Sequence, residues 1–137
     1  MAFHAYVFYS GNCAEAFGFY QQVFGGELSM MRNGDAPPDA RMPDTDDAVV
    51  MHASLKVGDG LLMGSDDPSG DDGRKVGFTV SYTAPDAATA RSVFEALSAG
   101  GEVTMPIAET FWAPVFGMVT DRFGVPWMVD TEPASAA

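Results

Sequence analysis

The chain has 137 residues, 47% hydrophobic and 12% aromatic, which suits one domain over 1–137 with a sizeable core and excludes a disordered chain. Nineteen acidic against seven basic residues give a net charge of −12, which opposes nucleic-acid phosphates and anionic membranes as partners. No 18-residue apolar run and no charged leader precede the first strand-like segment, so neither a membrane span nor a signal peptide is expected, and a single cysteine, Cys13, fits a cytoplasmic protein without internal disulfides.

Residues 3–9 are a β-branched and aromatic run of strand length. Asn12 with Glu15 three residues on has capping-box spacing and opens a helix over 13–24. Its apolar positions Ala16, Phe17, Phe19, Tyr20, Val23 and Phe24 recur at the spacing of a helix lying on a sheet. Gly25-Gly26 ends it, and 27–31 returns as a strand. Residues 33–48 carry three prolines and five aspartates and are expected to be a mobile surface loop. Residues 49–57 and 61–64 form a hairpin about Gly58-Asp59-Gly60, followed by an acidic, glycine-rich connector over 65–74.

The second half restarts with a strand over 76–82. Pro85 and Asp86 then open a helix that Gly100-Gly101 ends, before Glu102 and Val103 resume a strand. A last hairpin pairs 115–120 with 125–130 about Asp121-Arg122-Phe123-Gly124, where Gly124 suits a positive φ and Asp121 can close the turn. Pro126 cannot donate to a ladder, so its strand either lies at an edge or begins there. FGGEL at 24–28 returns in character as AGGEV at 99–103, which predicts two βαβββ modules, about 1–68 and 74–132, and a tail over 133–137.

Three stretches carry a family likeness: YVFYSGNCAEAFGFYQQVFGGEL at 6–28, HASLKVGDGLLMGSDD at 52–67, and FWAPVFGMVTDRFGVPWMVD at 111–130. They resemble the PhnB-type branch of the glyoxalase/bleomycin-resistance/extradiol-dioxygenase superfamily, the vicinal oxygen chelate proteins. The resemblance covers nearly all of the chain outside the loop at 33–48 and the tail. It implies an α+β glyoxalase-like fold, two βαβββ modules forming an incomplete eight-stranded barrel with a concave pocket face, and a two-fold homodimer.

In metal-dependent members of that superfamily, four ligands come from the first and fourth strands of each module. The matching positions fall on Ala5, Met63, Gly77 and Met128, none of which ligates a hard divalent cation well, so no metal and no cofactor is expected. His4 lies one residue from the first position, an offset that turns it to the other face of a strand. Phe3, Ala5, Val7, Met63, Pro126 and Met128 are then expected to line an apolar cup closed on one side by Trp112.

His52 is either a half-buried strand histidine bonded to a neighbour or the polar group of that cup, able to bind an anion or transfer a proton. Trp127 suits the core, whereas Trp112, in a loop-like ETFWAP segment, suits a pocket wall, a subunit contact or the core. Cys13 sits where a helix dipole would lower its pKa, but no acid or second histidine is placed by sequence to activate it, and a plain surface or half-buried thiol is the simpler outcome. Asp66, Asp67, Asp71 and Asp72 lack calcium-loop spacing and suit a solvated loop. A glycine-rich cofactor turn between strand and helix is missing, as are G-x-S-x-G, a phosphate loop and a CxxC pair.

Three functions follow. The first is metal-free binding of a small, partly apolar molecule. The second is lyase- or isomerase-type chemistry with His52 and an acid such as Asp66 or Glu109. The third is sequestration of a cationic drug in the bleomycin-resistance manner, aided by the acidic surface.

Overall fold

A computed structural model describes residues 2–67, 69, 73–112 and 114–132. The chain divides into two compact units, one ending at Asp72 and the next starting at Gly73. In the first, β1 (Ala5–Tyr9), α1 (Cys13–Phe24), β2 (Glu27–Arg32), β3 (Val50–Val57) and β4 (Gly60–Asp66) follow in order. In the second, β5 (Val80–Ala84), α2 (Ala87–Ser98), β6 (Glu102–Ala108), β7 (Phe116–Thr120) and β8 (Pro126–Thr131) repeat the plan. The sheet orders are β1-β4-β3-β2 and β5-β8-β7-β6, with the first and last strands of each unit parallel and the other pairs antiparallel. The fold is therefore α+β, two βαβββ modules, each carrying its own four-stranded mixed sheet. No helix among the described residues is long and apolar enough to cross a membrane.

Each sheet is covered on one face by its own helix, and the same packing device recurs. Phe17 of α1 lies over Gly64 of β4, where an added Cβ would stand 2.8 Å from the ring. Phe94 of α2 lies over Gly117 of β7, where the corresponding distance is 2.7 Å. A larger residue at either glycine would push the helix off the sheet. Around these contacts the first unit buries Val7, Tyr9, Tyr20 and Leu55, and the second Leu97, Val119, Trp127 and Val129. The Tyr9 and Tyr20 hydroxyls, 3.1 Å apart, satisfy each other inside the first core.

Several local expectations change. The loop at 33–48 is anchored rather than loose: Asn33, buried, donates from Nδ2 to the carbonyls of Met42 and Thr45 and accepts from the Met42 amide. Arg41 adds bonds to the carbonyls of Ala36 and Gly34. Asn12 makes no side-chain cap on α1. The cap comes instead from Asp66 at the end of β4, whose Oδ1 accepts from the amides of Gly11 and Cys13 at 3.1 and 2.9 Å while Oδ2 accepts from Val50 at 2.9 Å. Pro126 begins β8, and β8 lies between β5 and β7, so the starting position and not the sheet edge accommodates its missing amide. The strand expected over 76–82 begins only at Val80, which leaves Gly77, at φ 89°, outside the sheet.

Asp121 closes the last turn as expected, and does more. Its Oδ1 accepts from the amides of Phe123 and Val125, and its Oδ2 accepts from Trp127 Nε1 at 2.9 Å, all inside the core.

Candidate functional site

The five residues of β1 are apolar or aromatic throughout, so their sequence does not reveal which face is covered. The helix decides it. Val7 and Tyr9 are buried under α1, while Tyr6 and Phe8 are 40% and 57% exposed on the opposite face. Register partners share a face, so Tyr6 stands beside Met63 of β4 and Met63 beside Ser54 of β3. His52 of β3 lies two residues from Ser54, on the same face, opposite Met31 of β2.

The open face of the first sheet thus gathers Tyr6, Phe8, Met31, His52, Ser54 and Met63. Tyr6 Oη lies 3.2 Å from His52 Nδ1, and the two rings sit 5.7 Å apart at 34°. Phe8 packs against Tyr6 with centroids 5.3 Å apart. A polar pair is therefore framed by apolar side chains on a surface its own helix does not cover.

The second sheet has its own open face. Met128 pairs with Met118 and with Ser81, and Phe116 pairs with Asp130, which accepts a 2.8 Å bond from Thr83 Oγ1. Trp112, 45% exposed, meets Phe116 edge-on at 5.3 Å, and Phe111 meets Trp112 at 4.7 Å. Pro126 and Met128 share this face, while Trp127 points into the core.

The expected lining residues thus separate. Met63, Pro126 and Met128 lie on open faces, and Trp112 lies beside one. Ala5 and Val7 lie on the face under α1, one residue out of step, because Ala5 pairs with Leu62 and Tyr6 with Met63. Phe3 precedes β1 and is fully exposed, and His4 beside it is exposed. Tyr6 and Phe8 are the residues that sequence parity missed; the clue available was Tyr9, whose helix partners Phe17 and Tyr20 occupy the covered face.

The register also relocates the positions that the resemblance assigned to metal ligands. On the open faces, first- and fourth-strand neighbours are Tyr6 with Met63 in one module and Ser81 with Met128 in the other. Phenol, alcohol and thioether groups do not make a site for a hard or borderline divalent ion. Among the described residues no group of three or more His, Cys, Asp or Glu side chains assembles. The residues present do not fit that metal.

Other candidates find different employment. Asp66 pairs with Tyr9, on the helix side of the sheet, and both its oxygens hold backbone amides, so it is not an acid partner for His52. Glu109 follows β6 and is exposed. Cys13 is fully buried at the start of α1, and burial, then the nearby Asp66 charge, pushes its thiol up to about 12, overriding the lowering that the helix dipole suggested. Asp67 accepts from the Ser69 hydroxyl and then its amide, which in that order hold its carboxyl below the usual range. Asp71 and Asp72 lie outside the described residues.

The chain is 34% identical to Protein YjdN of Escherichia coli K12 over 143 residues, covering 95% of each. Among solved structures it is similar to protein PA1353 from Pseudomonas aeruginosa, at 42% identity and TM-score 0.86, covering 97% of this chain and 98% of that one. It shares its fold with the PhnB protein from Bacillus cereus, titled a putative 3-demethylubiquinone-9 3-methyltransferase, at 21% identity and TM-score 0.75, over 96% and 99% of the two chains. A family profile described as Glyoxalase/Bleomycin resistance protein/Dioxygenase superfamily matches residues 2–129. Sequence profile, curated relative and strand topology agree, and the chain belongs to the Glyoxalase/Bleomycin resistance protein/Dioxygenase superfamily.

Proposed function

We propose that the protein binds a small, partly apolar molecule on the open face of its first sheet, by shape and burial rather than by metal ligation. The observation that carries this reading is the Tyr6–His52 pair, 3.2 Å from Oη to Nδ1, set among Phe8, Met31 and Met63. When Tyr6 donates to Nδ1, the imidazole proton resides on Nε2. Nε2–H then offers one directed donor to a carbonyl or carboxylate of the ligand, while the aromatic and thioether groups cover its apolar part at about 25 cal/mol per Å² removed from water. Trp112, Pro126 and Met128 are proposed as a further apolar contact surface on the second module's own open face.

The test is a ligand screen followed by NMR titration. Tyr6→Phe and His52→Gln should each weaken a carbonyl- or carboxylate-bearing hit about tenfold, the value of one lost directed hydrogen bond. Wild-type affinity in both variants would remove the first-sheet site. A strong preference for planar cations would instead favour drug sequestration, to which the charge of −12 is suited.

The same pair supports a second reading, acid–base catalysis of a lyase or isomerase kind with His52 as the proton-transfer group and Tyr6 fixing its tautomer. Loss of turnover with retained binding in His52→Gln would select it. A two-fold homodimer burying more than about 1,000 Å² is also proposed, supported by the exposed Val103 on the edge strand β6. A monomer in sedimentation at micromolar concentration would contradict it. A cytoplasmic location is proposed from the free thiol of Cys13.

A further inference from the structure

The second module carries a row of methionines. Met105 of β6 pairs with Met118 of β7, and Met118 pairs with Met128 of β8, so three thioether side chains stand side by side across three adjacent strands. Neighbouring strands are about 4.8 Å apart, and each methionine has three rotatable side-chain bonds, so the outer two sulfurs can lean over the central one.

The row depends on a defect in the ladder. Val103 pairs with Val119, and an uninterrupted antiparallel register would next set Thr104 against Met118. A register shift between Val103 and Met105 sets Met105 there instead, and a second shift lies between Met105 and Ala108. The bulges thus exchange a hydroxyl for a thioether at the one place that completes the row.

The surroundings suit a cation. Met105 is 42% exposed and Met118 and Met128 are half-buried, so the sulfurs are within reach of solvent. The flanking pairs on this face are Phe116 with Asp130 on one side and Thr120 with Glu102 and Pro126 on the other, and Glu102 holds Arg74 in an ion pair at the rim of the row. Thioethers bind hard ions poorly and select soft monovalent ones.

We infer that Met105, Met118 and Met128 form a three-thioether site for one soft monovalent cation, Cu(I) or its redox-inert counterpart Ag(I). Binding is simple ligation with no change of oxidation state. This site is independent of the Tyr6–His52 pair.

The experiment is titration of the full chain, labelled with ¹³C-methyl methionine, with silver nitrate in chloride-free buffer, in the wild type and in a Cys13→Ala variant that removes the competing thiol. One equivalent should shift the methyl signals of Met105, Met118 and Met128 in both proteins. Met118→Leu, which conserves volume and apolarity, should lower the affinity at least tenfold, while Met42→Leu, at an exposed methionine outside the row, should leave it unchanged. Absence of saturable binding, shifts centred on Met30, Met31 or Met63, loss of binding in Cys13→Ala, or equal affinity in Met118→Leu would each overturn the assignment.

Discussion

The two modules share one plan and secure it with carboxylates at different points. In the first, Asp66 at the end of β4 holds the start of α1 and the start of β3 together, and the β3–β4 turn needs only Gly58, at φ 58°. In the second, Thr131 occupies the matching register position, pairing with Ala84 as Asp66 pairs with Tyr9, and its buried hydroxyl has no hydrogen-bond partner among the described residues. There the helix is capped locally by Asp86, whose Oδ1 accepts from the Thr89 amide at 2.7 Å, and the clamping carboxylate sits in the β7–β8 turn as the buried Asp121. A repeated fold thus fixes where strands and helices go and leaves free which joint is clamped. In the first module the clamp ties elements distant in sequence; in the second it ties a turn to its own return strand.

The sharpest way to break this contrast is at the helix starts. If Asp66 seals the first turn of α1, the Cys13 thiol should resist alkylation at pH 8 in the folded protein. A thiol at about 12 against an ordinary 9.0 leaves about a thousandfold less thiolate at that pH. Iodoacetamide labelling followed by mass spectrometry checks this; labelling at the rate of the denatured chain would mean that the seal is open. Because the folded thiol holds its proton more tightly than the unfolded one, its stabilising contribution is complete below the ordinary thiol value of 9.0 and is lost as the pH rises toward 12. Cys13→Ala should flatten that alkaline loss.

Next in size is the turn of the second module. Asp121→Ala leaves the Phe123 and Val125 amides and the Trp127 indole without their carboxylate acceptor in the core, and should cost about 3–4 kcal/mol in urea unfolding. Asp66→Ala, at a half-exposed site, should cost about 2–3 kcal/mol and increase hydrogen exchange at the amides of Gly11, Cys13 and Val50 together. Exchange raised at only one of them would show that the clamp is not a unit.

The smallest effect is at Asp86, which is exposed. Its carboxyl is held below the usual range by the Thr89 amide first and the Thr89 hydroxyl second, so it stabilises the fold above the ordinary carboxylate pKa of about 3.9 and ceases to as the pH falls below that toward its folded value. Asp86→Asn should reduce this acid dependence with little change in stability at pH 7, read from unfolding curves between pH 2 and 7.

The repeat, both helices and both hairpins were legible in the sequence because each rests on local signals: apolar spacing in 13–24, the glycine pairs at 25–26 and 100–101, and the Asp121 to Gly124 turn. The faces of β1 were not. In AYVFY every residue is compatible with burial, so only contact with Phe17 and Tyr20 assigns Val7 and Tyr9 to the core and frees Tyr6 and Phe8. The role of Asp66 was hidden for a different reason. Its partners lie 53 residues back at Cys13 and 16 back at Val50, beyond any local pattern, while Asn12 offered a more obvious cap that the structure does not use. Asn33 was obscured likewise by the prolines and aspartates of the segment it anchors. The methionine row needed the bulges of β6, which no alternation pattern predicts.

The parallel pairing of the first and last strands of each module sets an order of events during synthesis. β1 can join its sheet only after β4 exists, since Ala5 pairs with Leu62, and β5 only after β8, since Val80 pairs with Trp127. Neither sheet can be completed by zipping from a hairpin alone; each needs its last strand to return to its first, a slow closure of a long loop. All four strands of the first sheet precede Asp72, so that sheet has everything it needs while β5 is still to be translated. For the nascent chain, emergence of Asp66 is the step that completes β4 and delivers the carboxylate that α1 has been waiting for, so a ribosome-bound chain arrested before Asp66 should hold α1 with a frayed first turn.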